Sequence, residues 1–342
     1  MLGAAPAMAQ AASRFVGITM MPEYIQNEGI DGVLKNLTER AKVTAVTISP
    51  YVMEPSNDAD ASREPPIDAG AGSVRLLDRP LWGRRELRVR TAPSYPHQLG
   101  RFRALRYQPM EPTDLTQKQG RIILDFLLEA KRRKLKVYFQ VQAAIPPAYR
   151  VQFGGPVDDD KPRLPDGSYL KRRVSNNGNL ASENIAQYLE VFLADLVEAY
   201  PEIDGIRLDW PEYPPYFYEE TFFDFSRHAE MFARDHGFGG DRWEKLKSEA
   251  LAALKSGQLR FVPELSELKA KMSERLIARA RKAVAGKELI PNAFPPPFHE
   301  VSGMDYARVA KHCDGISVKL YTMHWPMMLK FWSEGRDAQF FR

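Results

Sequence analysis

Two acids three residues apart, Asp209 and Glu212, stand in the stretch IDGIRLDWPEYPPYFY, which runs from Ile203 to Tyr218. Neighbouring carboxyls in unlike surroundings can divide acid and base work. An ionised one attacks or stabilises an electron-poor carbon, and a protonated one donates to a departing oxygen. Asp209 closes the short run GIRLD. Arg207 shares its face, because side chains two apart on a strand point the same way. An inward Arg beside an inward Asp is costly unless the two pair, and an Arg can hold a carboxylate ionised at neutral pH. This reading makes Asp209 the nucleophile or ion stabiliser, Arg207 its orienting partner and Glu212 the proton donor. Trp210, Tyr213, Tyr216 and Tyr218 bring flat apolar rings with polar rims, which suit a sugar ring. The plainer alternatives are a structural Arg207–Asp209 pair, a solvated Glu212, and rings that pack under the helical segment that follows.

Such groups need a frame, and the frame is legible as strands alternating with helices. Arg14 to Met20 reads as a short buried strand, Val43 to Ser49 as a second and Lys136 to Gln142 as a third. Gly205 to Asp209 is the fourth, Glu288 to Asn292 the fifth and Gly315 to Tyr321 the sixth. Between them Ile30, Val33, Leu34, Leu37 and Ala41 fall at helical spacing, as do Ile122, Ile123, Phe126, Leu127 and Ala130. Thr116 with Gln119 has the form of a capping box for the second of these helices. The clearest amphipathic helix runs from Ile185 to Tyr200 and stops at Pro201. This alternation predicts an α/β fold built of parallel β-α units. No Gly-rich phosphate turn follows the first strand, which speaks against a nucleotide-binding sheet.

The expected fold class is therefore a TIM-type (β/α) barrel, with long insertions after strands two and four at about 54–112 and 219–286. In the first of these, Leu87, Val89 and Thr91 alternate with polar residues and suggest a hairpin. Residues 14–342 form the barrel, and 1–13 are a flexible or signal-remnant segment. Six parallel strands are visible where a closed barrel has eight, and 21 residues follow Tyr321. The expectation is a barrel incomplete at its C-terminal end. It is a truncated product, or it is closed by strands not recognised, or a partner covers its open edge.

Barrel sites sit where the strands end, so the residues there are the remaining candidates. Strand one leads to Glu23, strand two to Tyr51 and Glu54, and strand three ends in Gln140 and Gln142. Strand five ends in Asn292; strand six offers Lys319 and Tyr321, then His324 and Trp325. The two glutamines can bond sugar hydroxyls or the barrel interior. Lys319 is a candidate Schiff-base or general-base lysine, which would make the protein a lyase or isomerase. Asp158, Asp159 and Asp160 have calcium-ligand chemistry or form a solvated acidic loop.

The segment DGIRLDWPEY resembles the strand-four region of glycoside-hydrolase-type barrels, where D-G-[IF]-R-x-D recurs. It is similar to the segment of the α-amylase superfamily in which the acid at the position of Asp209 is the nucleophile, and to bacterial glycosidase-like barrels. The likeness is strongest over residues 136–213. It implies a glycoside hydrolase acting on a carbohydrate by a carboxylate mechanism, with no cofactor and no catalytic metal. The family's donor Glu on strand five has no counterpart at Asn292, and its later Asp on strand seven has none either. A non-catalytic carbohydrate-binding barrel is the alternative from a different class. The two differ in whether another acid, with Glu23, Glu54 and Glu300 as the ones to check, lies opposite Asp209.

The composition bounds these readings. The 342 residues are 44% hydrophobic, 27% charged and 11% aromatic, which is globular rather than disordered or coiled-coil. A net charge of +4, spread over the chain, does not suggest nucleic acid. No apolar run approaches the ~20 residues of a membrane helix. The single Cys313 forms no intrachain disulfide. From Arg75 to Arg106 there are nine Arg, no Lys and two acids. If this segment covers the strand ends it can select an acidic glycan; otherwise its arginines pair with the chain's own acids. Ala7-Met8-Ala9 before Gln10 has a small-x-small pattern without the basic and apolar regions of an export signal. That pattern leads to a periplasmic or secreted expectation, with a cytoplasmic one as the alternative. An open sheet edge would favour oligomers.

Overall fold

The structure, a computed structural model, describes residues 15–65, 76–149, 154–321, 324–336 and 340. The proposed flexible or signal-remnant segment 1–13 lies outside the described residues.

Six parallel strands form one curled sheet: β1 (Gly17–Thr19), β2 (Ala45–Ile48), β6 (Lys136–Gln142), β7 (Gly205–Asp209), β8 (Glu288–Ala293) and β9 (Ser317–Val318). Their spatial order is their chain order throughout. A doubly wound sheet reverses direction from its first strand, whereas a barrel adds each strand beside the last. The sheet is thus an open half-barrel. It is assembled from the six segments that the sequence pattern marks as strands.

The faces of the sheet follow from a two-residue period. Val137, Phe139 and Val141 of β6 and Ile206 and Leu208 of β7 are fully buried. They alternate with Tyr138, Gln140, Gln142, Arg207 and Asp209, which share the other face. The apolar face is covered by helices. In α4 (Arg121–Arg132), Ile123, Phe126, Leu127 and Ala130 are buried, and α4 packs on β6. The long α5 (Glu183–Ala199) starts at Ser182, whose Oγ accepts from the Ile185 N–H, and packs on α8 (Pro263–Ala283). The polar face is left to build a site. Gly205 admits no side chain, because a Cβ there would run into the backbone of Glu288 at the start of β8.

Several local expectations shift. The first strand is not buried: Gly17, Ile18 and Thr19 are all exposed, because among the described residues β1 is an edge that pairs with β2 alone. After β1 come α1 (Glu23–Glu28) and α2 (Ile30–Lys35), and α2 continues into a wide turn over Asn36–Arg40. The capping box belongs to α3 (Asp114–Gln119), one turn earlier than expected. Thr113 Oγ1 accepts from the Leu115 N–H, and Thr116 Oγ1 accepts from the Thr113 N–H.

A second sheet is antiparallel, in the order β3 (Tyr51–Ser56), β5 (Leu87–Pro93), β4 (Ser62–Glu64). The alternation at Leu87, Val89 and Thr91 is the middle strand of this sheet. Residues 219–286 are mostly helical, with α6 (Arg227–Asp235), α7 (Asp241–Lys255) and α8. Short α9 (Phe298–Ser302) and α10 (Tyr306–Val309) precede β9, and α11 (His324–Ser333) follows it. No described helix is long and apolar enough to cross a membrane.

Candidate active site

Three central strands end side by side and set the site. Gln142 lies opposite Asp209 and Gln140 opposite Arg207 across the β6–β7 ladder, and Asn292 lies opposite Ser317 across β8–β9. The Asp209 carboxylate collects donors from each neighbour. Oδ2 accepts from Gln140 Nε2 at 3.1 Å, and Oδ1 accepts from Asn292 Nδ2 at 3.0 Å and from the Trp210 N–H at 3.1 Å. Lys319 Nζ stands 3.0 Å from Oδ1. Burial pushes this carboxyl up, but the Lys319 ammonium and the Asn292 bond outweigh it and hold Asp209 below the usual carboxylate range.

Arg207 acts on Asp209 at one remove. Its Nη2 donates to Asn292 Oδ1 at 2.9 Å and to Ser317 Oγ, so it turns the Asn292 amide with its NH2 toward Asp209. The cation in contact with the carboxylate is Lys319, not Arg207 as the i, i+2 spacing suggested. The Lys319 nitrogen also lies over the rings of Trp210 at 5.2 Å and Phe294 at 4.9 Å. Buried, and placed against a carboxylate and two ring faces, it has the position of a counter-ion. Trp210 itself adopts φ +49°, a left-handed conformation that a bulky residue rarely takes. The strain sits directly after Asp209, at the strand end.

Glu212 is fully buried rather than solvated. Its Oε1 accepts from the Phe294 N–H at 3.0 Å and its Oε2 from the Ser302 hydroxyl. Burial raises this carboxyl to about 7, against the pull of Lys319, Ser302 and Phe294 and with a push from the Asp209 charge. Two acids three residues apart are thereby driven in opposite directions, one held ionised and the other titrating near neutrality.

A cleft of about 310 Å³ opens over the strand ends, and Asp209, Trp210, Gln140, Gln142 and Tyr51 line it. Its other walls include Tyr24, Tyr149 and Met21, and from the antiparallel-sheet side Glu64 and Asp78. Tyr149 is anchored by His97, whose Nδ1 is 2.7 Å from Asp195 Oδ2. Sequence reasoning missed Glu64 and Asp78. They lie in the segment read as an insertion, and no local spacing ties them to Asp209.

Other candidates fall elsewhere. Glu23 is buried behind the wall and accepts from the Tyr51 hydroxyl at 3.0 Å. Glu54 pairs with Arg90 on the antiparallel sheet. Glu300 lines a separate apolar cavity of about 790 Å³ beside α8 and α11. Tyr213 is buried, with its hydroxyl between the Leu180 N–H and Asp224 Oδ2 at 3.0 and 3.1 Å, so its ring is a packing element and not a sugar platform. Tyr216 and Tyr218 are likewise buried. Tyr321 is exposed, and burial of its hydroxyl and the nearby Asp209 raise its pKa. Trp325 packs on Phe298 at 4.8 Å, outside the cleft lining. His324 begins α11, and its side chain lies outside the described residues.

Among the described residues the arginine-rich segment places no guanidinium group in the cleft lining. Arg79 pairs with Glu28, Arg90 with Glu54, Arg101 with Glu198 and Arg106 with Asp159, while Arg88 donates to the carbonyls of Ala59 and Ala61. These arginines are held by the chain's own groups, as in the alternative reading of this segment. The Asp158–Asp160 run is also occupied internally: Asp160 is buried among Tyr107, Ser182, Asn184 and His228, and Asp158 pairs with Lys161. Among the described residues no cluster of three or more His, Cys, Asp or Glu is arranged to hold a metal ion.

No protein-family profile matches the sequence, and no curated protein matches it. Similarity to solved structures is clear at the level of fold. The β-galactosidase of Rahnella sp. R3 superposes with a TM-score of 0.50 at 11% identity, over 93% of this chain and 41% of that one. The β-galactosidase of Bacillus circulans sp. alkalophilus gives 0.50 at 10% identity, over 90% and 40%. That of Marinomonas ef1 gives 0.49 at 11%, over 90% and 41%. The chain spans about two fifths of the length of these glycoside hydrolases, and it shares a partial barrel-like fold with those of Rahnella and Bacillus circulans.

Proposed function

We propose that the protein is a glycoside hydrolase that binds a carbohydrate in the cleft over the strand ends. The observation that carries this reading is the opposite tuning of Asp209 and Glu212 beside a cleft walled by aromatic rings. The C–O bond at the anomeric carbon breaks, the leaving oxygen takes the proton of Glu212, and Asp209 attacks or stabilises the positive carbon. Water then adds, its proton returning to Glu212. Arg207 and Asn292 orient Asp209, Lys319 keeps it ionised, and Gln140 fixes its second oxygen.

Glu212 is fully buried in this state, so donation requires the site to open around it. That burial favours one second reading, a carbohydrate-binding barrel without turnover. A screen of aryl glycosides and polysaccharides, with Asp209→Asn as control, separates the two. Turnover that Asp209→Asn abolishes supports the hydrolase; saccharide binding without turnover supports the binding barrel; turnover that survives the substitution unchanged rejects the assignment of Asp209.

A further inference from the structure

The two oxygens of Glu212 have unlike neighbours. Oε1 accepts from the Phe294 N–H, a group that can only donate. Oε2 meets the Ser302 hydroxyl, which can both donate and accept. A proton on this carboxyl therefore sits on Oε2. Ser302 is fully buried at the end of α9, and its Oγ has a second partner, the His299 carbonyl at 3.0 Å. One hydroxyl hydrogen cannot serve both oxygens at once. With Glu212 ionised, it points to Oε2. With Glu212 protonated, the acid O–H donates to Oγ and the hydroxyl hydrogen turns to the His299 carbonyl. That carbonyl also accepts from the Met304 N–H at 2.9 Å, so it is met in either state. The surroundings hold the two residues in register. The Ser302 carbonyl accepts from the Tyr213 N–H at 3.0 Å, and Asn177 Nδ2 donates to the Glu212 carbonyl at 3.0 Å. Lys269, on α8, donates to the carbonyls of Val301 and Thr221. Gly303 follows with φ +91°, where a Cβ would run into Lys269.

We infer that Ser302 is a positioning residue that serves Glu212 in both protonation states, donating to Oε2 when the acid has given up its proton and accepting from Oε2 when the acid holds it. In turnover this lets one side chain release a proton and take it back without leaving a buried oxygen unmet. That use rests on the hydrolase reading above; the two hydrogen-bond states do not. Ser302 keeps its own hydrogen throughout, and the proton that moves is that of Glu212. The other groups that face Glu212 are Lys319 and Asp209 at the strand ends and the phenols of Tyr216 and Tyr306. Lys269 reaches it only through the Val301 carbonyl, and His299 shares the short helix α9 with Ser302.

The test is urea unfolding of the full chain at pH 5 and pH 8 in four forms: wild type, Ser302→Ala, Glu212→Gln and the double variant. A hydroxyl bonds a carboxylate more strongly than it bonds the neutral acid, so losing it raises the folded pKa of Glu212, by about one pH unit. A raised folded pKa takes stability away as pH rises. Ser302→Ala is therefore expected to lower the folding equilibrium constant about fivefold more at pH 8 than at pH 5. In Glu212→Gln the side-chain NH2 donates to Oγ as the protonated acid does, and there the cost of Ser302→Ala is expected to be equal at both pH values. Any titration of Lys269 appears in that pair and is subtracted. A cost in the wild-type background that is equal at both pH values, loss of the fold at both included, overturns the inference and leaves the hydrolase reading standing, because no substrate enters the measurement. A pH-dependent cost of the same size in the Glu212→Gln background overturns it as well, since the effect then belongs to another group. Absence of turnover in the glycoside screen removes the hydrolase reading and leaves the two states of Ser302 untouched.

Discussion

Glu212→Gln tests the electrostatics of the site without needing a substrate. The amide keeps the shape of the carboxyl: its oxygen can accept from the Phe294 N–H, and its NH2 can face the Ser302 hydroxyl. What it removes is ionisation. Glu212 has a folded pKa of about 7 against an ordinary value of 4.5. Between these values the folded protein holds a proton that the unfolded chain has released, so this group makes stability fall as pH rises. Below 4.5 both states are protonated and the group contributes nothing. Above about 7 the full penalty is present. At roughly 1.4 kcal/mol per pH unit the interval amounts to about 3 kcal/mol. Urea unfolding of the wild type and the variant from pH 4 to pH 8 reads this directly. The two should coincide near pH 4, and the variant should be more stable by up to about 3 kcal/mol at pH 8. Glu220 and Lys269 are also buried and have pKa values moved to about 7, but they are common to both proteins and cancel in the difference. A difference that does not change with pH, or a variant less stable at pH 8 than at pH 4 relative to wild type, would refute the reasoning.

Two further substitutions probe the supports of the site. Lys319→Met leaves Asp209 with its hydrogen bonds but without its counter-ion, and is expected to cost about 2–4 kcal/mol at pH 7 by chemical denaturation. Asp209 has a lowered folded pKa, so the stability it contributes is present above the unfolded value and is lost as pH falls through the folded one; the cost of Lys319→Met should shrink below pH 4. Tyr213→Phe removes a hydroxyl that meets both the Leu180 N–H and Asp224, and should lower stability by about 1–3 kcal/mol while leaving saccharide binding intact, as calorimetry can show.

The fold was largely readable because its strands carry a strong two-residue or fully apolar pattern and its helices a clear 3.6-residue one. GIRLD and KVYFQVQ each announce a strand and also which side chains share a face. The exposure of β1 was not readable, since an edge strand and an interior one can have the same apolar sequence. In the site, strand-end logic reached Asp209, Asn292, Gln140, Gln142 and Lys319, because a parallel register brings strand ends together. It could not say that Lys319, 110 residues away, rather than Arg207, two residues away, touches Asp209. Nor could it tell Trp210, which lines the cleft, from Tyr213, which turns into the core, because the loop after a strand has no fixed period. Glu64 reaches the cleft from the antiparallel sheet and Asp78 from the chain between β4 and β5, and only tertiary folding places them there.

The most direct test is the rate of glycoside cleavage by Asp209→Asn, measured as kcat/KM on whichever substrate the wild type turns over, with unfolding and saccharide affinity recorded alongside. Asparagine keeps the size of the side chain but not the negative charge that faces Lys319 and that the proposed mechanism directs at the anomeric carbon. A fall of at least about a thousandfold, with the fold and saccharide binding retained, is the predicted result. An unchanged kcat/KM would contradict the account.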